Sequence, residues 1–277
     1  MSIGGVLTRI SVICSAYNMA EVFSFRQSIE SILSQSVRDF EMIICDDGSH
    51  DSTRSVLESY ASRDERIKII SNERNLGLAA SLNRCIELSR CEYIARHDLD
   101  DISHPNRFEK QLSFLEKNLD VALVGCGIYL FDKNGVYGKR ELPRNVENED
   151  FLFSSPYVHG SVMMRRSALL SVGRYRVSRI TRRTEDYELF MRMQARFRGA
   201  NLPDKLYYYL EDESARRRRK YRYRIDEAIV RARGFTTLGL MPRGIPYVLK
   251  PLIVGLIPDR LLRPIQKRYY ERRSKDA

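Results

Sequence analysis

Short apolar runs rich in β-branched residues recur along the first third of the chain and predict buried β-strands. These runs lie at residues 10–16, 40–45, 67–70 and 91–96. Between them, apolar residues recur every three or four positions, which predicts helices. The predicted helices cover residues 21–35, the stretch after the capping residues 51–53, and residues 79–88. Because strands alternate with helices, we expect an α/β fold with a mostly parallel sheet, right-handed crossovers and a Rossmann-like nucleotide-binding half.

The pattern becomes mixed after residue 104. The elements predicted there are a helix at residues 105–117, a strand at 121–125, a hairpin at 128–137, a strand at 161–164 and a helix at 185–197. The hairpin turn is indicated by Lys133, Asn134 and Gly135, because Asn-Gly suits a tight turn between strands. No internal repeat or low-complexity linker precedes Arg216.

Composition narrows the class of protein. With 277 residues, 43% hydrophobic and 30% charged, the chain is typical of a globular protein. Its five cysteines are odd in number and contain no CxxC pair, which favours reduced thiols in a cytoplasmic protein over disulfides or zinc. The first nine residues lack the apolar run of a signal peptide. No segment has the roughly 18 consecutive apolar residues of a membrane-spanning helix.

The formal net charge of +11 is a property of the C-terminal quarter. Residues 205–277 contain 19 Lys and Arg against 8 Asp and Glu, whereas the remainder holds 28 of each. This asymmetry predicts an anionic partner, either a membrane surface or a nucleic acid. We therefore divide the chain into an α/β domain at residues 1–212 and a basic, partly apolar helical extension at residues 213–277.

The extension carries two distinct features. Residues 216–224 interleave arginines with tyrosines, which could bind phosphates and stack on bases, or could form a solvated helix face at about residues 215–237. The apolar segment 245–258 is too short to span a bilayer and is interrupted by prolines. It could pack on the core, but the basic residues that follow it favour an interfacial segment on anionic lipid.

Acidic pairs follow two of the predicted strands. Asp46 and Asp47 end one strand, and Asp98 and Asp100 follow another. Neighbouring parallel strands would bring both pairs to the sheet edge where such folds bind ligands. Clustered carboxylates oppose ionisation unless a cation is near, and Mg2+ or Mn2+ prefers oxygen ligands shared with phosphates. The alternative is a pair of solvated turns that cap the next helices, with Asp101 as one such cap.

A third acidic site lies at Glu185 and Asp186, directly after the basic residues 179–183. Acidic residues in a first helical turn are favoured by the helix dipole, which is one interpretation. The other is a general base that takes a proton from an attacking hydroxyl. The residues alone do not choose between these interpretations.

Taken in order, these motifs resemble the large family 2 of inverting glycosyltransferases with the GT-A fold. The matching stretches include DDGSHDST at 46–53, NLGLAASLN at 75–83, ARHDLDDISHP at 95–105, HGSVMMRR at 159–166 and EDYEL at 185–189. The resemblance covers roughly residues 10–212. It implies a sugar transferase of bacterial polysaccharide biosynthesis that takes a nucleotide-sugar donor, expected to be UDP-linked. The implied acceptor is a glycan or a polyprenyl-linked sugar. Together with the C-terminal extension, a lipid-linked acceptor leads us to expect a cytoplasmic protein that is peripheral at the cytoplasmic face of the inner membrane.

The resemblance also implies nucleotide and metal contacts, residue by residue. Tyr17 and Asp47 would lie at the base of the nucleotide, and Ser15 beside them would complete that site. Asp98 and Asp100 would form the DxD motif, with Asp98 shared by nucleotide and metal. Asp100 would make the direct contact to a Mn2+ or Mg2+ cofactor.

The remaining implied roles concern catalysis. Asp186 would be the catalytic base, with Glu185 and His159 lining the acceptor site. The sequence departs from the family at Leu99, where a small or polar residue is frequent between the two acids. It also departs at Leu82, where some members have arginine, which argues against a diphosphate contact from that helix.

Two other functions compete with this hypothesis. A sugar nucleotidyltransferase would share the sheet, the metal and the nucleotide, but such enzymes usually have a glycine-rich loop where this chain has residues 15–18. A nucleic-acid-binding protein could use the arginine cluster at 216–224, but that function leaves the acidic strand ends unexplained. We therefore expect nucleic acid not to be a partner.

Overall fold

The structure is a computed structural model that describes residues 8–211 and 221–256. Its N-terminal half contains the strands β1 (Ile10–Ala16), β2 (Phe40–Asp46), β3 (Ile67–Ser71) and β4 (Tyr93–Arg96). The connecting helices are α1 (Phe25–Leu33), α2 (Thr53–Ala61) and α3 (Leu78–Leu88). The four strands pair in parallel in the order β3-β2-β1-β4. The predictions for this half are confirmed to within a few residues, α1 being shorter than expected.

The residues that follow β4 add strands of both directions to the same sheet. Its elements are β5 (Ile102–Ser103), α4 (Arg107–Lys117), β6 (Val121–Asp132), β7 (Gly135–Arg140), β8 (Met163–Arg165), α5 (Arg166–Ser171), α6 (Glu185–Gln194) and β9 (Arg198–Leu210). The described strands form one sheet in the order β3-β2-β1-β4-β8-β6-β9-β5, with β7 paired to β6. β6 and β9 are parallel, whereas β8 is antiparallel to both neighbours and β5 to β9. The α/β class is confirmed, and the predicted hairpin is formed by β6 and β7.

Two hydrophobic layers enclose the sheet. Because side chains alternate along a strand, Val12 and Met42 face the layer of α1, α2 and α4. Ile13 and Ile43 face the opposite layer, which α3, α5 and α6 cover. All five cysteines are buried and none forms a disulfide, as expected from their number and spacing. The packed layers leave the C-terminal ends of β1, β2 and β4 as the open edge.

The described part of the C-terminal extension packs on the second layer. It consists of α7 (Arg222–Thr237) and α8 (Ile245–Val254). Val230 and Phe235 of α7 are buried in that layer, whereas Arg222 and Arg233 are exposed, so the helix packs on the core and keeps a solvated face. The domain boundary at residue 212 stays a prediction, and residues 216–220 of the arginine cluster lie outside the described residues.

Helix α8 lies in the apolar segment that could either pack on the core or form an interfacial segment, and it has features of both. Tyr247 and Val248 pack against the buried layer. The opposite side exposes a row of apolar side chains: Ile245, Leu249, Ile253 and, just after the helix, Leu256. None of the helices in the described part of the chain combines the length and apolar character that crossing a bilayer requires. The segment therefore contacts the core with one side and leaves the other uncovered.

Candidate active site

A cavity of about 650 Å³ opens at the C-terminal ends of β1, β2 and β4, and we call it the larger cavity. Its lining includes all of the residues predicted to bind nucleotide and metal: Ser15, Tyr17, Asp47, Asp98 and Asp100. Sequence positions separated by more than eighty residues therefore meet at one edge of the sheet, because the strands that carry them are neighbours.

A second cavity of about 480 Å³, the smaller cavity, lies next to the larger one. It contains the residues predicted at the acceptor and the base, namely His159, Glu185 and Asp186. The two cavities share a boundary formed by Leu78, Asp98, Asp100, Arg183 and Glu185. Asp186 lines the smaller cavity and does not line the larger one. The arrangement can hold two substrates that meet at the shared acidic boundary.

Asp47 is buried and fixes one wall of the larger cavity. Its Oδ1 accepts hydrogen bonds from the backbone N–H of Leu76 at 2.8 Å and from Asn72 Nδ2 at 2.6 Å. Its Oδ2 accepts the backbone N–H of Gly77 at 2.9 Å. These bonds hold the loop that precedes α3. Asp47 therefore shapes the cavity as well as lining it.

Tyr17 is held by a turn that ties β1 to the loop after β2. Asn18 adopts a left-handed conformation with a φ of 51°. Its side-chain oxygen accepts the backbone N–H of His50 at 2.9 Å, and its own N–H donates to Ser49 Oγ at 3.0 Å. Asparagine tolerates this conformation better than most residues. The turn leaves Tyr17 41% exposed on the cavity wall, available for contact with a planar group.

The acidic segment after β4 divides into residues with different surroundings. Asp98 pairs with the guanidinium of Arg96, which is wholly buried. Leu99 is buried in the hydrophobic layer, which explains an apolar residue between the two acids. The sequence analysis considered Asp101 as a cap of the next helix, but its Oδ1 instead accepts the N–H of Leu210 in β9 at 2.7 Å. Burial, followed by the charges of Asp100 and Asp98, raises the pKa of Asp101 well above its ordinary value.

Buried polar groups surround the segment that carries Asp98. Arg107 of α4 is wholly buried and donates to the carbonyls of Gly160 at 2.8 Å and Arg96 at 3.2 Å. Gly160 fits because a Cβ there would lie 2.0 Å from the Tyr207 hydroxyl and 2.8 Å from Asp98 Oδ2. The sequence analysis missed these roles. The local signal in the sequence is that Arg96 and Gly160 lie within the ARHDLDD and HGS motifs and that Arg107 follows the first of them.

Glu185 and Asp186 begin α6, as predicted, but differ in environment. Burial raises the pKa of Glu185 to about 7, and the neighbouring charge of Asp186 adds to that effect. Arg183 precedes them in a left-handed conformation with a φ of 77°, which is uncommon for a residue with a side chain. One of the paired acids is thus biased toward its neutral form near neutral pH. This separation of environments suits one carboxylate to act as a base.

His159 lines the smaller cavity as a neutral ring. Its Nε2 is 2.7 Å from the Tyr175 hydroxyl, and its ring packs edge-on against Tyr175 and Phe190. Burial, followed by the charge of Arg96, lowers the pKa of His159 to about 4. It can therefore form hydrogen bonds in the cavity without carrying charge.

The basic loop before α6 also reaches the nucleotide-side wall. Arg179, Arg182 and Arg183 line the larger cavity, and Arg183 also belongs to the shared boundary. The sequence analysis noted these residues as basic but assigned them no role. Three guanidiniums suit this wall to an anionic group such as a diphosphate.

The donor set fits a divalent cation shared with substrate but not a cation enclosed by protein alone. Among residues 8–211 and 221–256, no group of three or more His, Cys, Asp or Glu could hold a metal ion. Mg2+ and Mn2+ sites that carry nucleotides usually use one or two carboxylates and complete their coordination with phosphates and water. Asp98 and Asp100 supply that number of carboxylates at the shared boundary.

Comparison with known proteins identifies the family. The sequence model of the family described as glycosyl transferase family 2 matches residues 11–184 of this chain. EpsE of Bacillus subtilis, which is named as a glycosyltransferase, is 42% identical over 267 residues, which are 96% of this chain and 94% of EpsE. The amylovoran biosynthesis glycosyltransferase AmsE of Erwinia amylovora is 33% identical over 202 residues, which are 71% of this chain and 74% of AmsE.

Solved structures confirm the fold. The structure of S. aureus TarS 1-349 in complex with UDP-GlcNAc superposes with a TM-score of 0.70 at 17% identity, covering 91% of this chain and 77% of that one. The mannosyltransferase PcManGT from Pyrobaculum calidifontis, in complex with GDP-Man and Mn2+, gives a TM-score of 0.59 at 17% identity, covering 94% and 80%. The GT-A architecture expected from the motifs is thus confirmed, and the nucleotidyltransferase alternative is set aside. The chain belongs to glycosyltransferase family 2.

Proposed function

We propose that this enzyme transfers a sugar, with inversion, from a UDP-sugar to a hydroxyl of a glycan or lipid-linked acceptor in cell-surface polysaccharide synthesis. The observation that carries the proposal is the pair of cavities that share an acidic boundary, with Asp186 only in the smaller one. Names of relatives support the substrate classes. AmsE is named for amylovoran, and WfgD of Escherichia coli is named for transfer from UDP-Glc to GlcNAc-diphosphoundecaprenol.

The larger cavity would bind the donor. The exposed ring of Tyr17 would stack on the base of the nucleotide. Asp47 would accept a hydrogen bond from the base, and Ser15 would contact the nucleoside. The diphosphate would lie between the boundary acids and the arginines of the basic loop. Asp98 and Asp100 would hold Mn2+ or Mg2+ there, and such an ion neutralises charge on a departing diphosphate when bound. Arg179, Arg182 and Arg183 would stabilise the same developing charge.

The smaller cavity would bind the acceptor. Asp186 would take the proton from the acceptor hydroxyl as its oxygen attacks the anomeric carbon. The bond from that carbon to the diphosphate oxygen breaks in the same displacement, so attack from the opposite face inverts the configuration. Glu185, with its raised pKa, would donate a hydrogen bond to the acceptor instead of competing for the proton. His159 would orient the acceptor as a neutral ring.

A peripheral place at the cytoplasmic face of the membrane is part of this proposal. Ile245, Leu249, Ile253 and Leu256 present an uncovered apolar row along α8. Residues 257–277 of the sequence contain seven Lys and Arg residues against three acidic ones. An apolar row beside basic sequence suits reversible binding to anionic lipid. Such binding would bring the enzyme to a lipid-linked acceptor.

The donor assignment is tested with UDP-, GDP- and dTDP-sugars in the presence of Mn2+ or Mg2+. We expect UDP-sugars to give the largest protection against thermal unfolding and to release UDP. Tyr17→Ala should weaken UDP binding about tenfold, because base stacking on an aromatic ring contributes about 1–3 kcal/mol. Tyr221→Ala, at an exposed tyrosine that lines neither cavity, is the matched control. Equal protection by all bases would contradict the UDP assignment, and protection by none would contradict the function.

A further inference from the structure

One wall of the smaller cavity is held in place by the C-terminal helix α7. Ser154 and Ser155 of the loop before Pro156 line this cavity. Arg231 of α7 donates from Nη1 to the carbonyl of Leu152 at 2.9 Å and from Nη2 to that of Phe153 at 3.2 Å. The Arg231 side chain is only 5% exposed. A buried, bidentate guanidinium thus fixes the backbone directly before the cavity wall.

The same guanidinium also contacts the helix that carries the proposed base. Its central carbon lies 5.1 Å from the centre of the Tyr187 ring, and Tyr187 directly follows Asp186. The Tyr187 hydroxyl donates to the carbonyl of Phe151, and the two rings stack. Arg231 therefore bridges two separate parts of the smaller cavity: the loop that forms its wall and the first turn of α6.

Two further charged side chains reinforce the contact between Arg231 and the loop before Pro156. Glu227, one turn earlier on α7, accepts from Arg231 Nε at 3.1 Å and orients the guanidinium. Lys250 of α8 donates to the same Phe153 carbonyl at 3.2 Å, with its Nζ 4.4 Å from the centre of the Phe153 ring. Charged groups from both C-terminal helices thus converge on one loop. None of them lines either cavity, so their effect on the site must act through that loop and Tyr187.

We propose that Arg231 is a positioning residue that sets the spacing between the acceptor-binding wall and Asp186. The inference rests on the proposed function, because it takes the smaller cavity as the acceptor site. It also gives the C-terminal extension a role in catalysis beyond attachment to a surface. Arg231 has no contact with the larger cavity, so its loss should affect the acceptor half-reaction and leave donor binding intact.

The test compares Arg231→Met, Arg231→Lys and the control Arg233→Met in the full-length enzyme. Arg233 lies on the same helix but is exposed. The probes are UDP-glucose or UDP-GlcNAc as donor, with an undecyl-linked GlcNAc diphosphate as acceptor and, in parallel, water alone. We expect Arg231→Met to raise the acceptor KM or lower kcat about tenfold or more, since small misplacements are costly to catalysis. The donor KM should change less than about twofold.

The conservative variant separates positioning from general damage. Arg231→Lys keeps a cationic donor near the two carbonyls, so it should recover part of the lost kcat or acceptor KM, whereas Arg233→Met should behave like the wild type. If Arg231→Met does not fold, Lys250→Met tests the same loop, because Lys250 is half-buried and donates to the same carbonyl. It should change the acceptor KM or kcat in the same direction but by less.

The outcomes distinguish this inference from the proposed function. An active wild type with an Arg231→Met variant unchanged in acceptor KM and kcat would overturn the inference alone. Equal losses in donor and acceptor KM would also overturn it, because they would indicate general loss of structure. A wild type that neither transfers to the acceptor nor hydrolyses either donor would overturn the proposed function and, with it, this inference.

Discussion

Glu185 makes the stability of the protein depend on pH in a direction opposite to that of most carboxylates. Burial and the charge of Asp186 raise its pKa to about 7 in the folded protein, from an ordinary value of 4.5. The folded state therefore binds more protons than the unfolded state between these two values. Stability from this group is fully present below the lower value and is lost as the pH rises through the upper one.

The size of the effect follows from the pKa difference. A change from 4.5 to about 7 corresponds to roughly 3 kcal/mol. Because Glu185 lies on the open boundary of two cavities, we expect solvent to reduce this to about 2 kcal/mol. Glu185→Gln removes the ionisation while keeping the shape of the side chain. The variant should therefore gain about 2 kcal/mol relative to the wild type between about pH 4.5 and pH 8.

The assay is urea unfolding of both proteins across that pH range. His159 titrates with the opposite sign, because its lowered pKa stabilises the protein as the pH rises from about 4 toward its ordinary 6.5. The informative quantity is consequently the difference in unfolding free energy between variant and wild type, from which His159 cancels. Glu73→Gln, at an exposed glutamate that lines neither cavity, is the matched control. A Glu185→Gln difference that is constant with pH would refute the reasoning.

Three further predictions test separate parts of the account. Asp47→Asn should lower the free energy of unfolding by about 2 kcal/mol and weaken UDP protection. Leu76 and Gly77 donate to different oxygens of Asp47, and the substitution replaces one of these oxygens with an NH2 group that cannot accept. Unfolding and thermal-shift curves like the wild type's would contradict this. Replacing Ile253 and Leu256 together with serine should reduce co-sedimentation with anionic vesicles about tenfold at unchanged charge, and unchanged partitioning would count against a membrane-facing α8. Chelation with EDTA should lower transfer about tenfold or more, with Mn2+ or Mg2+ restoring it; full transfer in EDTA would mean that the arginines suffice.

The strands that could be predicted are those whose sequences are short, mostly apolar runs. Residues 10–16 and 40–46 are nearly continuous apolar runs because layers cover both faces. Strand β9 was missed because its sequence includes Asn201, Asp204 and Lys205. Asn201 donates to the carbonyls of Pro143 and Pro156, and the other two form ion pairs with neighbouring elements. Partners distant in sequence thus permit a polar strand, and no local pattern reveals them.

The candidate site divides in the same way. Acids at strand ends could be predicted, since strand direction alone brings them to one edge of the sheet. The groups that hold them could not, because a buried arginine has the same sequence signature as an exposed one. Arg96, Arg107 and Arg231 are buried only because carbonyls and carboxylates from other elements surround them. Their roles depend on tertiary contacts.

The most direct test of the central claim is the transfer rate of Asp186→Asn at saturating donor. The account predicts a fall of about a hundredfold or more in transfer, the usual range for loss of a general base. The added protection that UDP gives against thermal unfolding should match that of the wild type, since Asp186 does not line the larger cavity. A variant that folds, binds UDP and transfers sugar at the wild-type rate would contradict the assignment of Asp186 as the base.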